Sequence, residues 1–158
     1  MFPSIFGITR EQMPNAETGV IYSWNGIGYL FEKPAVNVDK QCKEGDDAEV
    51  AQGAMQYIVN KKPNLFFIYF SQPDEAGHKY GWCSKEYNAA CDTVDAYIGE
   101  IVKTIKSNFD MNETAILFTS DHGGLPAKSH GGKTMLEMQT PFIVVGAKLP
   151  KDYKMNYS

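Results

Sequence analysis

"LFFIYFSQPDEAGHKYG", residues 65–81, joins the most apolar run of the chain to a segment of polar and turn-forming residues. The six apolar and aromatic residues 65–70 predict a strand buried on both faces, which is typical of a parallel sheet. Asp74 and His78 follow shortly afterwards, four residues apart around Gly77. The segment is either a solvated turn or part of a metal site, because Pro, Asp and Gly favour turns while carboxylate and imidazole bind metals. The choice between these two readings decides which function the sequence predicts.

Helical and extended patterns alternate on both sides of this strand, as in α/β proteins. In the first part of the chain, the predicted elements are a short helix within 3–14, a strand at 18–24 that ends in a turn, and a polar loop over 32–47. A helix capped by Asp46 or Asp47 and stopped by Pro63 follows. After the strand at 65–70, a long amphipathic helix begins at Ser84, and two further buried strands lie at 114–120 and 141–146. A strand, a long helix and a further strand predict a right-handed crossover between parallel strands. We therefore expect an α/β fold, a mostly parallel sheet flanked by helices.

The bulk composition is that of an ordinary globular domain. The 158 residues are 43% hydrophobic and 22% charged, enough to form a substantial core. A net charge of −4 argues against a nucleic-acid duplex as the main partner. No apolar run approaches the roughly 20 residues that span a bilayer, and residues 1–12 lack the pattern of a signal peptide.

The cysteines do not indicate a disulfide framework. Cys42, Cys83 and Cys91 are odd in number and form no closely spaced pair. Unpaired thiols are favoured over a Cys83–Cys91 bridge, which stays open for an exported protein.

All three histidines of the chain lie in loops after, or close to, predicted strands. His78 follows the strand at 65–70, His122 follows the strand at 114–120, and His130 precedes the strand at 141–146. Ligands of open parallel sheets bind beyond the carboxyl ends of the strands, so the loops of His78 and His122 are expected at the binding edge, and the loop of His130 can fold over it. Carboxylate and imidazole together suit zinc, manganese or iron.

Glycines accompany each of these motifs. Asp121 and His122 would point to opposite faces of a regular strand, but Gly123 and Gly124 free the backbone to turn there. We apply the same argument to Gly77 and to Gly131–Gly132, where glycine lets the backbone approach a crowded centre closely. Each motif alone is more typical of a turn or a surface loop than of a metal site, whereas their combination after apolar strands favours a metal site.

The motifs "PDEAGHKYG", "TSDHGG" and "SHGGKTMLEMQTPFIVVG", in this order, resemble the metal-binding core of the alkaline phosphatase superfamily. The nearest branch is the type I phosphodiesterase/nucleotide pyrophosphatase group with its sulfatase-like relatives, and the likeness extends over about residues 1–150. The resemblance implies two divalent metal ions, zinc or alternatively manganese, and hydrolysis of phosphate mono- or diesters through a covalent phospho-enzyme. The implied metal ligands are Asp74, His78 and His130 for one ion, and Asp121 and His122 for the second.

Part of the family pattern has no match in this chain. The second ion of the family is completed by a further aspartate and by a Thr or Ser nucleophile, both ahead of a "PSIF"-like stretch such as residues 3–6. Ser4 lacks the preceding aspartate-bearing strand, and we interpret it as a helix cap. We therefore expect residues 1–158 to be the C-terminal portion of a longer catalytic domain.

Two other functions stay open at this point. A sulfatase-like hydrolase is disfavoured by the histidine-rich ligand set and by the lack of a Cys-x-Pro-x-Arg motif. A non-catalytic structural fragment is supported by the missing nucleophile.

Less specific candidates lie near the motifs. Lys133 follows His130 by three residues and could bind a substrate phosphate or sulfate, with a solvated lysine as the alternative. Trp24 and Asn25 are interpreted as a plain turn rather than as a pocket wall. The expected partner is a small-molecule phosphate ester, and the family suggests a periplasmic or otherwise exported protein. Neither the natural substrate nor the oligomeric state follows from the sequence.

Overall fold

The computed structural model of the chain describes residues 2–146 and residue 148. Its elements, in chain order, are α1 (Ile5–Gln12), β1 (Thr18–Tyr22), two 3-10 turns (Asn25–Tyr29 and Lys33–Ala35), β2 (Val38–Gln41), α2 (Asp47–Lys61), β3 (Leu65–Tyr69), α3 (Asp74–Tyr80), α4 (Lys85–Asn108), β4 (Ala115–Thr119), α5 (Met135–Met138) and β5 (Phe142–Gly146). This is the mixed α/β architecture that the sequence predicts. Within the described residues, none of the helices combines the length and the apolar character of a membrane span.

The core is built on a parallel sheet with the strand order β2–β1–β3. The central strand β1 is buried along its whole length, because it has a neighbour on each edge and a covered face on each side. Val20 and Tyr22 pack on one face with Phe6 of α1, while Ile21 packs on the other face with Val50 of α2. Helix α4 then covers α2 through a third apolar cluster, so the layers are α1, sheet, α2 and α4.

The helices begin where their sequence signals predict. The side chains of Ser4, Asp46 and Ser84 accept hydrogen bonds from the backbone N–H groups three residues later, at 3.2, 3.0 and 3.1 Å. These bonds satisfy donors that lack partners within the helix. Helix α2 ends at Lys62, whose φ of 49° is left-handed, directly before Pro63. The prediction that Ser4 is a helix cap is confirmed, and Cys42, Cys83 and Cys91 are free, as favoured.

The last two strands differ from the prediction. They do not join the parallel sheet through a crossover; β4 and β5 form their own antiparallel pair, from Ala115 opposite Gly146 to Thr119 opposite Phe142. They are also exposed rather than buried. An apolar run predicts that a strand is buried, but it does not indicate with which other strand it pairs. Within the described residues, no strand pairs with the outer edge of β3, and β4 and β5 satisfy each other's backbone groups instead.

Two smaller expectations were also wrong. The run 65–70 is half-buried rather than buried on both faces, because β3 is an edge strand, and Phe67 is 42% exposed. The polar stretch 32–47 is not all loop, since it contains β2. The side chains of β2 alternate between half-buried and exposed, as is typical of an edge strand that faces solvent on one side.

Candidate metal centre

Asp74 and His78 lie on one side of helix α3. The sequence predicted a loop here, but Asp74 is the first residue of a seven-residue helix and His78 follows one turn later. Residues four apart on a helix are neighbours on its surface, and His78 Nε2 lies 3.4 Å from Asp74 Oδ2. The helical repeat therefore brings the two side chains together. Gly77 does not serve this purpose: it contacts the indole of Trp82, where a Cβ would lie 2.7 Å from the ring.

His130 reaches the same point from the loop between β4 and α5. Its Nε2 lies 3.7 Å from Asp74 Oδ1 and 3.1 Å from His78 Nε2. The ligand atoms of Asp74, His78 and His130 all lie within 4.8 Å of one another, a possible set of ligands for one metal ion. The chain thus brings together residues separated by more than 50 positions, as the sequence motifs predicted.

Asp121 and His122 lie on the flank of this group. The rings of His122 and His130 are stacked, with centroids 3.7 Å apart and planes inclined by 14°. His122 Nε2 lies 4.0 Å from Asp74 Oδ1 and 3.7 Å from Asp121 Oδ2. The Asp121 side chain is 62% exposed and lies outside the tight group of three. The two sets of predicted ligands are therefore adjacent.

Backbone carbonyl groups orient two of the imidazoles. His78 Nδ1 lies 3.3 Å from the carbonyl oxygen of Lys128, and His122 Nδ1 lies 2.8 Å from that of Gly123. A carbonyl oxygen only accepts, so each contact is a hydrogen bond when Nδ1 is the donor, and the neutral ring with that tautomer would present the lone pair of Nε2 to an ion. Metal-binding histidines commonly have this arrangement, with one ring nitrogen bonded to a carbonyl and the other free for the ion.

The Asp74 carboxylate provides a further test of whether the site fits a cation. Its Oδ1 atom is buried and has no hydrogen-bond partner in the described part of the chain. The nitrogen atoms of His122 and His130 are 4.0 and 3.7 Å away, too far for a hydrogen bond. A buried acceptor without a partner is unfavourable by about 1–3 kcal/mol or more, and a bound cation would remove that penalty. The residues present therefore fit a divalent ion, and their nitrogen and oxygen donors suit zinc.

Asp47 holds the segment that precedes Asp74, a role that the sequence did not reveal. It is buried, and its carboxylate accepts hydrogen bonds from Ser23 Oγ at 2.6 Å and from the backbone N–H groups of Ser71 and Gln72 at 3.0 and 2.9 Å. These bonds fix the segment that leads from β3 to Asp74. The sequence identified Asp47 only as a possible helix cap, because nothing local indicates its distant partners.

Glu137 organises the loops that carry the other candidate ligands. Its carboxylate accepts from Thr134 Oγ1 at 2.6 Å and from Gly132 N at 2.9 Å, and its carbonyl oxygen accepts from Gly123 N at 2.8 Å. The hydrogen bond from the Thr134 hydroxyl, followed by that from the Gly132 N–H, lowers the pKa of Glu137. The sequence signal was a Thr-x-x-Glu capping box at the start of α5.

The surroundings of the centre are acidic and partly aromatic. Tyr69, at the end of β3, packs against Trp24 with ring centroids 6.0 Å apart. Burial, together with the negative charges of Asp121 and Asp74, raises the pKa of Tyr69 to about 12. Lys133 is exposed, in the turn between His130 and α5.

Solved structures share the fold of this chain. The structure of murine ectonucleotide pyrophosphatase/phosphodiesterase 5, an inactive variant in complex with AMP, matches with a TM-score of 0.56 and 24% identity. The match covers 73% of this chain and 31% of that chain. The chain therefore belongs to the class of α/β proteins with this alkaline-phosphatase-like fold, of which it spans a part.

Sequence comparison assigns the chain within this class. Residues 16–152 match the family described as type I phosphodiesterase / nucleotide pyrophosphatase, and the chain belongs to that family. It is 37% identical over 97 residues to GPI ethanolamine phosphate transferase 1 of Mus musculus and 33% identical over 69 residues to ectonucleotide pyrophosphatase/phosphodiesterase family member 7 of the same species. These matches cover 60% and 44% of this chain but only 10% and 16% of the relatives. The chain thus spans a small part of their length.

Proposed function

We propose that the chain forms the metal-binding part of the active site of a phosphoester hydrolase. The observation that carries this proposal is the buried, unpartnered Asp74 Oδ1 atom, which two imidazole Nε2 atoms face at distances too long for hydrogen bonds. Membership of a phosphodiesterase family supports phosphate mono- or diesters as the substrate class.

We assign the two ligand sets separately. Asp74, His78 and His130 would hold one ion, most simply zinc and alternatively manganese, and Asp121 and His122 would contribute to a second. Ions bound here would neutralise charge on a phosphoryl group and lower the pKa of a bound water or hydroxyl. The protein contributes the orientation: carbonyl oxygens hold the His78 and His122 rings, and Asp47 holds the segment before Asp74.

The group that attacks phosphorus is proposed to come from outside these residues. Ser4 is unsuited, because its hydroxyl caps α1 and is hydrogen-bonded to the Glu32 carboxylate. We propose that residues 1–158 are the C-terminal portion of the catalytic domain and that the complete domain forms a covalent phospho-enzyme. The exposed apolar side chains of β4 and β5 support this, since a larger domain would cover them.

The substrate is proposed to be a small-molecule phosphate ester. Lys133, exposed and three residues after His130, is the candidate to bind its phosphate. The relatives named above include a transferase and a pyrophosphatase/phosphodiesterase, so the acceptor of the phosphoryl group is either water or an alcohol. Export from the cytoplasm would agree with the family.

Metal stoichiometry tests the central proposal. Chelator-treated protein is titrated with Zn²⁺ by calorimetry at neutral pH, and the loaded protein is analysed by mass spectrometry for bound metal. We expect at least one tight equivalent, and we expect Asp74→Ala combined with His78→Ala to remove it. The control variant Asp95→Ala changes an exposed carboxylate on α4 and should leave the stoichiometry unchanged. Wild-type protein that binds neither zinc nor manganese would contradict the proposal.

Catalysis is tested on the full-length parent. It is assayed on aryl phosphate, phosphodiester and sulfate ester substrates, with the 158-residue chain assayed in parallel. We expect phosphoester turnover by the parent and none by the short chain. A parent that turns over none of the three would instead support a non-catalytic structural role.

A further inference from the structure

We infer that Trp82 is a positioning residue of the metal centre. Its indole sets the distance between two parts of the chain: helix α3, which carries Asp74 and His78, and the loop between β4 and α5, which carries His122 and His130. This inference rests on the proposed metal site. Trp82 follows α3 by two residues, is 7% exposed, and was not among the residues that the sequence motifs singled out.

Glycines on both sides allow the indole to separate these two parts of the chain. A Cβ on Gly77 of α3 would lie 2.7 Å from the indole, and a Cβ on Gly124 would lie 2.0 Å from it. Both distances are shorter than non-bonded carbon atoms allow, so only glycine lets the backbone reach the ring. Gly77 directly precedes His78, and Gly124 is two residues from His122. The thickness of the indole therefore determines how far apart the ligand-bearing segments lie.

The indole also touches the ligand rings themselves. Its centroid lies 5.3 Å from the His78 ring with an interplanar angle of 81°, and 5.9 Å from the His130 ring with an angle of 69°. Edge-to-face contacts of this kind favour one orientation of each imidazole. His78 and His130 are the two residues whose Nε2 atoms lie 3.1 Å apart, so a change at the indole would act on the pair that shares the proposed ion.

Two backbone contacts between α3 and the loop are polar and at the surface. Lys128 Nζ donates to the carbonyl oxygen of Lys79 at 2.7 Å, and the backbone of Gly81, with φ of 102°, lies against the carbonyl group of Pro126. Exposed polar contacts contribute little to positioning compared with a buried aromatic ring. Trp82 is therefore the buried centre of the contact that assembles the site.

Zinc affinity tests the inference through Trp82→Ala and Trp82→Phe, with the apparent Kd measured by calorimetry. Loss of a supporting side chain typically weakens metal binding about 10–100-fold, so we expect that loss for Trp82→Ala and partial recovery for Trp82→Phe, which keeps an aromatic ring. Ile58→Ala is the control, because it removes a side chain of the α2–α4 cluster and lowers the melting temperature without touching the site. An unchanged Kd in Trp82→Ala, or an equal loss in Ile58→Ala, would overturn the inference.

A matched pair of glycine substitutions tests the same contact from its other side. Gly77→Ala places a methyl group against the indole, whereas Gly99→Ala places one in open space on α4. Both residues lie within helices, so the change in helix propensity is similar. We expect Gly77→Ala to weaken zinc binding as Trp82→Ala does and Gly99→Ala to leave it unchanged; equal affinities in the pair would contradict the inference.

A spectroscopic measurement separates positioning from general stability. The chain has two tryptophans, so Trp24→Phe leaves Trp82 as the only one. We expect Co²⁺ to quench the emission of this variant in a saturable manner, and the visible absorption of the bound cobalt to change in Trp82→Ala. If the wild type binds neither Zn²⁺ nor Co²⁺, the proposed function and the inference fail together. If it binds both and the Trp82 and Gly77 variants match it, the inference alone fails.

Discussion

Asp47 shows how one buried side chain fixes the position of a distant candidate ligand. Its carboxylate accepts hydrogen bonds from the hydroxyl groups of Ser23 and Ser71 and from two backbone N–H groups after β3. The side chain of its neighbour Asp46 accepts one hydrogen bond, from Glu49 N at the start of α2. Adjacent residues with the same side chain thus have different partners, which makes them a matched pair for experiment.

Asp47→Ala should destabilise the protein more than Asp46→Ala. Hydrogen bonds to charged groups contribute about 1.5–3 kcal/mol each, and removing this carboxylate leaves several buried donors unpaired, so we expect a loss of about 3 kcal/mol or more. Loss of the Asp46 cap should cost about 1 kcal/mol. Urea denaturation of both variants measures the difference, and equal losses would show that the Asp47 network is not stabilising.

The residue types of the site were predictable, but their supports were not. The five candidate ligands were identified because histidine and aspartate next to glycine after apolar strands are uncommon together. Trp82 and Asp47 were missed, because their roles depend on burial and on partners more than 20 positions away. Gly77 was expected to let the backbone approach a crowded centre closely, and its backbone does make a close approach, but to the Trp82 indole.

Among the helices, the four-residue α5 anchors the segments that carry His122 and His130. Its buried Glu137 accepts hydrogen bonds from the loop that contains His130, and its backbone accepts one from Gly123. Because these hydrogen bonds lower the pKa of Glu137 in the folded state, its carboxylate stabilises the fold at pH values above the ordinary glutamate pKa. That contribution is lost as the pH falls through the lowered pKa.

Glu137→Gln should therefore change the acid dependence of stability. The wild type is expected to lose stability as the pH falls from about 4.3, the ordinary glutamate pKa, and the variant should lack that part of the loss. Urea midpoints between pH 7 and pH 3 would show two curves that converge at low pH. Glu100→Gln, an exposed position on α4, serves as the control. Parallel curves for wild type and Glu137→Gln would contradict the assignment.

At the scale of elements, the helix caps were predicted correctly from local signals, whereas helix α3 and the pairing of the last two strands were not predicted. Ser84 and Asp46 cap α4 and α2 as expected, since a cap and its helix are contiguous in the chain. The partnership of β4 with β5 was missed, because strand neighbours are chosen by tertiary packing. Strand β2 was overlooked for a related reason: an edge strand needs few apolar residues.

Burial is distributed unevenly over the whole molecule. The three apolar clusters draw their buried members from α1, β1, α2, α4 and the segments between them. Beyond Ile101, Glu137 is the one buried residue in the described part of the chain. A two-stranded sheet without a covered face is only marginally stable in water. The first hundred residues and the remainder should therefore differ in local stability.

Hydrogen exchange would measure this difference. We expect the backbone amides of β1 to be the most protected and those of β4 and β5 to exchange orders of magnitude faster, because the latter open without disturbing the core. Exchange followed by mass spectrometry of peptides from 18–22, 115–119 and 142–146 provides the comparison. Similar protection in all three peptides would show that the antiparallel pair is an integral part of the cooperative unit.

The candidate metal centre lies between these two parts of the molecule. Asp74 and His78 belong to the well-packed part, while Asp121, His122 and His130 belong to the sparsely packed one. An ion held by both would act as a cross-link, closing a loop of about 50 residues without a covalent bond. The stabilisation by this cross-link would depend on the concentration of the free ion, since a ligand at 100 times its Kd stabilises the state that binds it by about 2.7 kcal/mol. The order of the described residues that follow Ile101 would then depend on the availability of that ion in the compartment of the protein.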